Sequence, residues 1–164
     1  MITAGFGIVM ALTLRPTDGG LAARPVAPTV APEVVTEPAP TRDVATLLTR
    51  LNDVRRTHGL AALVLDPRLC AIAQRHGLDM VSRQYFAHIS PEGVSPFGRM
   101  SQAHYRFGYA GENLALDRDS EAIHRSLLAS PEHRENMVEP HYVHVGIATV
   151  ASASGEIVVE DFSD

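Results

Sequence analysis

Between residues 44 and 54, apolar side chains recur every three or four positions, which predicts a helix with one buried face. A second apolar stripe runs from Leu69 to Met80, directly after Asp66-Pro67, a pair typical of helix starts. Helical spacing and start signals predict three shorter helices, over residues 95–103, 120–129 and 130–138. Five helices are therefore expected after residue 41.

Near the carboxyl end the apolar spacing changes from helical to alternating. Residues 143–149 alternate between β-branched and small or polar side chains, and residues 157–162 form a second extended stretch after a turn at 152–155. Two such stretches joined by a short turn predict a hairpin. Because helices precede strands, the order predicts an α+β fold or a three-layer α-β-α packing rather than repeating βαβ units.

The chain before residue 42 shows neither the helical spacing nor the strand-type alternation of apolar residues. Residues 1–14 are almost all apolar or small, too short a run to span a bilayer but typical of the core of a secretory signal peptide. No basic residue precedes this run, so we expect a partial export signal, with a disordered leader as the alternative. Residues 15–41 contain six prolines, which predicts a disordered, solvated tether or a removed pro-segment. The folded domain is expected over residues 42–164.

Composition narrows the class of protein. The net charge is −5, from 14 basic and 19 acidic residues, which disfavours a nucleic-acid binder. Cys70 is the only cysteine, so an intrachain disulfide and a cysteine-rich metal site are excluded, and a buried, inert thiol is expected.

Three polar side chains on the two long helices are expected to have structural or solvated roles rather than a role in a functional site. Asn52 and Arg55 are expected to be solvated or to act in capping, with Asp43 as a candidate cap of the first helix. His76 lies on an apolar face, where a hydrogen-bonded, semi-buried histidine is more common than a metal ligand.

Three short stretches are candidates for chemistry. Ser130-Pro131 opens a helix whose first turn carries His133, beside the free N–H groups and the positive end of the helix dipole. The run Gly111-Glu112-Asn113 places a carboxylate before an apolar pair, although a turn with an exposed Glu explains it equally well. In the third stretch, two aromatic residues precede His88 and are expected to anchor the chain so that this histidine lies at the edge of the core.

The motifs Y-F-A-H, P-F-G-R, G-E-N-L-A, S-P-E-H-R-E-N-M, V-G-I-A and V-V-E-D-F, in this order, resemble the CAP superfamily. More narrowly, residues 44–162 are similar to bacterial SCP-like extracellular proteins. The resemblance implies a three-layer α-β-α sandwich with a central antiparallel sheet and a cleft lined by histidines and acids. By motif, His88 matches the first histidine of that cleft, Glu112 the first acid and His133 the second histidine.

The chain departs from the family pattern at the fourth cleft position. Animal-type members carry an acid before the second histidine motif, whereas residues 126–130 contain none. Leu127 stands where bacterial relatives usually have Trp, and Glu132 where they usually have Gly. On a helix Glu132 points about 100° away from His133. Its negative charge would therefore influence the electrostatic potential of the cleft without replacing a ligand.

The resemblance leaves three functions open. Two imidazoles and a carboxylate with an open position form a plausible set for Zn²⁺ or another divalent cation, or, without metal, a polar cluster. The favoured hypothesis is an exported binding module, extracellular, periplasmic or associated with the cell envelope. It would hold an envelope component, a lipid or a partner protein with His88, Glu112, His133 and Asn113. The alternatives are a metal-assisted hydrolase of peptidoglycan or peptides, with the same His88, Glu112 and His133 as catalytic candidates, and a structural interaction domain. The missing fourth acid, and the absence of a nucleophile elbow and of a zinc-protease helix, favour binding over catalysis.

Overall fold

The computed structural model describes residues 8–14 and 41–164. Its helices are α1 (Arg42–Thr57), α2 (Pro67–Arg83), α3 (Pro96–Gln102), α4 (Ser120–Ala129) and α5 (Pro131–Met137). Its strands are β1 (Ile8–Leu14), β2 (Val64–Leu65), β3 (Ala110–Asp117), β4 (His144–Ser152) and β5 (Gly155–Ser163). All five predicted helices and the predicted hairpin are present.

The strands form one sheet in the order β1-β3-β5-β4-β2. The pairs β1–β3, β3–β5 and β4–β5 are antiparallel, whereas the short β2 pairs with β4 in parallel. The sheet is therefore mixed: the expected antiparallel pairing joins its central strands, and the only parallel pair among the described strands lies at this two-residue edge strand. No periodic signal exists in two residues, which is why the pattern along the sequence does not predict β2.

Helices cover both faces of the sheet. Helices α1, α4 and α5 pack on one face, and α2 and α3 on the other, which confirms the α+β sandwich. The first layer buries a core that includes Leu47, Leu51 and Phe162, and the second buries Leu69 and Met80. The predicted apolar stripes of α1 and α2 are thus the faces that contact the sheet.

Local start signals determine most helix boundaries. Asp66 accepts hydrogen bonds from the backbone N–H groups of Arg68 and Leu69, and Ser95 accepts one from Gly98, as their positions before Pro predict. Helix α1 is capped by Thr41 rather than by Asp43, which lies within the first turn.

Arg55 has a larger role than expected. It is 1% exposed, and its guanidinium donates to four main-chain carbonyls, at 2.8–3.1 Å, those of Ala61, Met137, Glu139 and Tyr142. Burial lowers its pKa from the ordinary value. The expected solvated or capping role is wrong because Arg55 ties α1 to the segment between α5 and β4, a contact 82 or more residues away in sequence.

The apolar segment near the amino end belongs to the sheet. Residues 8–14 pair with β3, with Ile8 opposite Leu116 and Leu14 opposite Ala110. The residue pattern places the start of the domain at residue 42, so this strand is an addition to the predicted domain. The predicted tether lies outside the described residues except at Thr41, and the export role of residues 1–14 stays a prediction. None of the helices in the described ranges has the length and apolar run that a bilayer crossing requires.

Candidate functional site

The site is organised by β3, whose successive side chains alternate between the two faces of the sheet. Glu112 points toward α2 and α3, whereas Asn113 points toward α4 and α5; both are 0% exposed. The alternative of a turn with an exposed Glu112 is therefore wrong. The reason is that Gly111-Glu112-Asn113 lies within a strand covered by helices on both sides.

Glu112 is held by two cationic or polar donors from the loop and helix that follow α2. The Nδ1 atom of His88 lies 2.6 Å from Glu112 Oε1, and Arg99 Nη2 donates to Oε2 of the same carboxylate. Arg99 also donates through Nη1 to the main-chain oxygen of His88 at 2.8 Å. We call His88, Arg99, Glu112 and the neighbouring Asp161 the His88 cluster.

Asp161 is a member of this cluster that the motif comparison misses. It lies opposite Glu112 on β5, on the same face, and is 0% exposed. Burial, and then the neighbouring Glu112, raise the pKa of Asp161 well above its ordinary value, while burial raises that of Glu112 against the opposing effect of Arg99. Because Glu112 receives N–H donors on both oxygens, we assign the negative charge to Glu112 and the proton to Asp161. The two successive acids in V-V-E-D-F, a strand otherwise apolar, were the available signal.

The protonation of His88 follows from these contacts. Burial, and then the positive charge of Arg99, lower the pKa of His88 to about 4, so its imidazole is neutral near pH 7. A carboxylate oxygen only accepts, so the Nδ1 that faces Glu112 carries the proton and Nε2 carries the lone pair. This Nε2 is buried and has no hydrogen-bond partner among the described residues. The ring therefore presents one acceptor that a ligand N–H or O–H group would satisfy.

A second polar group, the Asn136 cluster, lies on the opposite face of β3 and contains Asn113, His133, Asn136 and Glu160. Asn136 Nδ2 donates to Asn113 Oδ1 at 3.0 Å and to the main-chain oxygen of Glu112 at 3.3 Å. Asn113 Nδ2 donates to the main-chain oxygen of His133 at 3.3 Å and to Glu160 at 3.1 Å. Burial raises the pKa of Glu160 to about 7. The motif comparison names Asn113 and His133 but not Asn136 or Glu160.

His133 is positioned from within its own helix. Its Nδ1 lies 2.7 Å from Ser130 Oγ, and Ser130 makes no side-chain cap of α5. The Ser130 hydroxyl therefore orients the imidazole and does not cap the helix. Glu132 lies exposed on α5, and its electrostatic influence on the site stays a prediction.

The predicted metal set is divided by the sheet. His88 and Glu112 lie on the α2/α3 face. His133 lies on the α4/α5 face, where its main-chain oxygen accepts a hydrogen bond from Asn113. Within residues 8–14 and 41–164, no three His, Cys, Asp or Glu side chains are placed to hold a metal ion. Both oxygens of Glu112 already face His88 and Arg99, so these residues in this arrangement do not fit Zn²⁺.

The model of the cysteine-rich secretory protein family, CAP, matches residues 48–162. The chain belongs to the CAP family. Two curated relatives of this CAP chain come from Bacillus subtilis (strain 168). The uncharacterized protein YkwD is 34% identical over 104 residues, which are 63% of this chain and 40% of YkwD. The uncharacterized membrane protein YlbC is 34% identical over 102 residues, 62% of this chain and 30% of YlbC.

Solved structures show the same CAP architecture. An extracellular protein containing an SCP domain from Bacillus anthracis aligns with a TM-score of 0.65 and 26% identity, over 73% of this chain and 39% of that one. An outer surface protein from Borrelia burgdorferi aligns with a TM-score of 0.70 and 20% identity, over 74% and 92% of the two chains, and shows the fold alone. The CAP chain is thus similar in sequence and fold to an extracellular bacterial protein, and it spans 40% and 30% of the length of the two curated relatives.

Proposed function

We propose that this CAP domain is an exported binding module of the cell envelope and that Nε2 of His88 receives a hydrogen bond from its ligand. Two observations support this role: the similarity to an extracellular protein that contains an SCP domain, and the buried, unsatisfied acceptor on His88. The second observation carries the proposal, because a buried polar atom without a partner costs about 1–3 kcal/mol and gains that amount when a ligand satisfies it.

The arrangement favours binding over hydrolysis. Glu112 orients the His88 ring as an acid orients a catalytic histidine, but a base with a pKa of about 4 is poorly matched to proton transfer near neutral pH. No hydroxyl or thiol of the described residues is hydrogen-bonded to either ring nitrogen. The metal-assisted hydrolase therefore has no supporting contact here, whereas the Asn136 cluster fits the bracing role of the structural alternative.

Retention of the full chain by three envelope fractions tests the proposal: purified sacculi, phospholipid vesicles and detergent-extracted envelope protein. We expect at least one fraction to retain the wild type and to retain His88→Ala roughly tenfold less, since one buried hydrogen bond is lost. His124→Ala is the matched control, because His124 is also buried but lies on α4, in the other helix layer. Retention of His88→Ala equal to the wild type, or no retention by any fraction, would contradict the proposal.

A further inference from the structure

The outer edge of β3 is occupied by a strand that comes from outside the predicted domain. Residues 8–14 lie antiparallel to β3 in an unbroken seven-residue register. Residues 15–40 separate this strand from α1, so β1 reaches the sheet from far along the chain.

Asn136 recognises the main chain of β1 and β3 together. Its Nδ2 lies 3.5 Å from the main-chain oxygen of Leu12 and donates to that of Glu112 at 3.3 Å. Its Oδ1 accepts a 2.5 Å hydrogen bond from Thr13 Oγ1. Contacts with the main chain depend little on side-chain identity, so this asparagine would hold any extended segment at the same place.

Gly111 permits the close approach of that segment. A Cβ at this position would lie 2.9 Å from the main-chain oxygen of Leu12 and 3.0 Å from Asn136 Oδ1, and it would also meet the hydroxyl of Tyr142. Only glycine leaves room for this packing.

A strand on this edge lies next to both polar clusters. Leu12 is opposite Glu112, on the face that carries His88, whereas Thr13 is opposite Gly111 and bonds to Asn136 on the other face. Alternate side chains of an added strand would therefore face the two clusters in turn.

We propose that the outer edge of β3 is an acceptor site for an extended, uncharged peptide segment of a partner protein, which Ile8–Leu14 fills in cis. This inference rests on the proposed binding role and names its ligand class. In strand addition, main-chain hydrogen bonds supply affinity and pockets for alternate side chains supply specificity. Removal of residues 1–14, as expected of an export signal, would expose an unpaired edge beside His88, and such edges pair with other chains. A second copy is disfavoured as occupant, because the removal of residues 1–14 takes the same strand from every copy.

The test opens the edge in the full chain and adds a labelled synthetic peptide of residues 7–15. Leu12→Pro removes a backbone N–H and disfavours strand pairing at β1. We expect this variant to bind the peptide at least tenfold more tightly than the wild type, whose edge is filled. A peptide of the same sequence with N-methylated alternate amides should bind at least tenfold more weakly, because it lacks the donors that strand addition uses.

Two further variants test whether peptide binding depends on opening the β3 edge: one opens this edge in a second way, and the other is a control at the opposite edge. Leu12→Asp sets a second carboxylate opposite the buried Glu112 and should expel β1 even if the proline variant does not fold. Val64→Pro is the matched control, since it places proline in β2, at the opposite edge, and should gain no peptide binding. Amide exchange of β4 and β5 verifies that each variant is folded.

The outcomes separate this inference from the proposed function. A folded, opened variant that fails to bind the peptide, or that binds the N-methylated peptide equally well, overturns the strand site. Wild-type dimers that exchange β1 between copies overturn the choice of a partner protein. If the peptide fails while an envelope fraction still requires His88, only the strand site is wrong; if both fail, the binding role is wrong as well.

Discussion

The two polar clusters on either side of β3 differ in the hydrogen-bond and ion-pair partners of their buried polar atoms. The His88 cluster contains an ion pair between Arg99 and Glu112 and a protonated Asp161. Four of its buried atoms have no hydrogen-bond partner among the described residues: His88 Nε2, Arg99 Nε and the two carboxyl oxygens of Asp161. The Asn136 cluster consists mainly of hydrogen bonds from amides to main-chain oxygens and to Glu160. The comparison indicates that neighbouring residues of one motif, Glu112 and Asn113, serve different purposes: Glu112 orients His88 and pairs with Arg99, whereas Asn113 binds the main chain of α5.

The largest expected effect comes from breaking the ion pair of the His88 cluster. Glu112→Ala leaves Arg99 buried without its carboxylate, so we expect the free energy of unfolding to fall by about 3–5 kcal/mol, measured by urea denaturation. Glu112→Gln keeps the shape of the side chain and one acceptor oxygen, so its loss should be smaller. Equal losses for the two variants would indicate that shape rather than charge holds the cluster.

The contributions of His88 and Glu160 to the pH dependence of stability should have opposite signs. The pKa of His88 is lowered to about 4, so the unfolded state binds more protons below pH 6.5 and the contribution of His88 is lost as the pH falls from about 6.5 to 4. We expect His88→Gln to remove about 2 kcal/mol of this acid sensitivity, a figure reduced for solvent screening.

On the other face, burial raises the pKa of Glu160 to about 7, so its neutral form stabilises the fold only at low pH. The unfolded carboxyl ionises near pH 4.5, so this contribution is lost as the pH rises from about 4.5 to 7. Glu160→Gln should therefore gain about 3 kcal/mol relative to the wild type across that window. Chemical denaturation of the wild type and both variants at about pH 4.5, 5.5 and 7 measures how the contribution of each residue to the free energy of unfolding changes with pH. Changes of the same sign for His88 and Glu160 would contradict this prediction.

The smallest effects are expected at the hydrogen bonds of the Asn136 cluster. Asn136→Ala removes bonds to both β1 and β3, so we expect a loss of about 1–3 kcal/mol and faster amide exchange in β1. Ser130→Ala removes only the bond to His133, so we expect a loss of about 0.5–1.5 kcal/mol without a change in β1. Hydrogen exchange followed by mass spectrometry distinguishes the two. If Ser130→Ala loosens β1 as much as Asn136→Ala does, β1 is held by the whole helix rather than by Asn136.

Helix starts and the hairpin could be predicted because their causes are local. Asp66 and Ser95 cap helices within three residues of themselves, and the alternating residues of β4 and β5 meet across a short turn. Family motifs then located His88, Glu112 and His133, although motif order carries no information about which face of the sheet each occupies. The role of Arg55 was not predictable, since its acceptors include carbonyls more than 80 residues away.

By itself, the sequence determined the α+β class, the five helices and the hairpin, and the family motifs predicted one common cleft for the pair His88 and Glu112 and for His133. The tertiary structure alone decided that β3 separates His133 from that pair, that Asp161 shares the burial of Glu112, and that residues 8–14 complete the sheet. The physical reason is range. Caps, periodicity and turns act over a few residues, whereas strand partners, face and desolvation depend on segments that are distant in the chain and meet only when the sheet has formed.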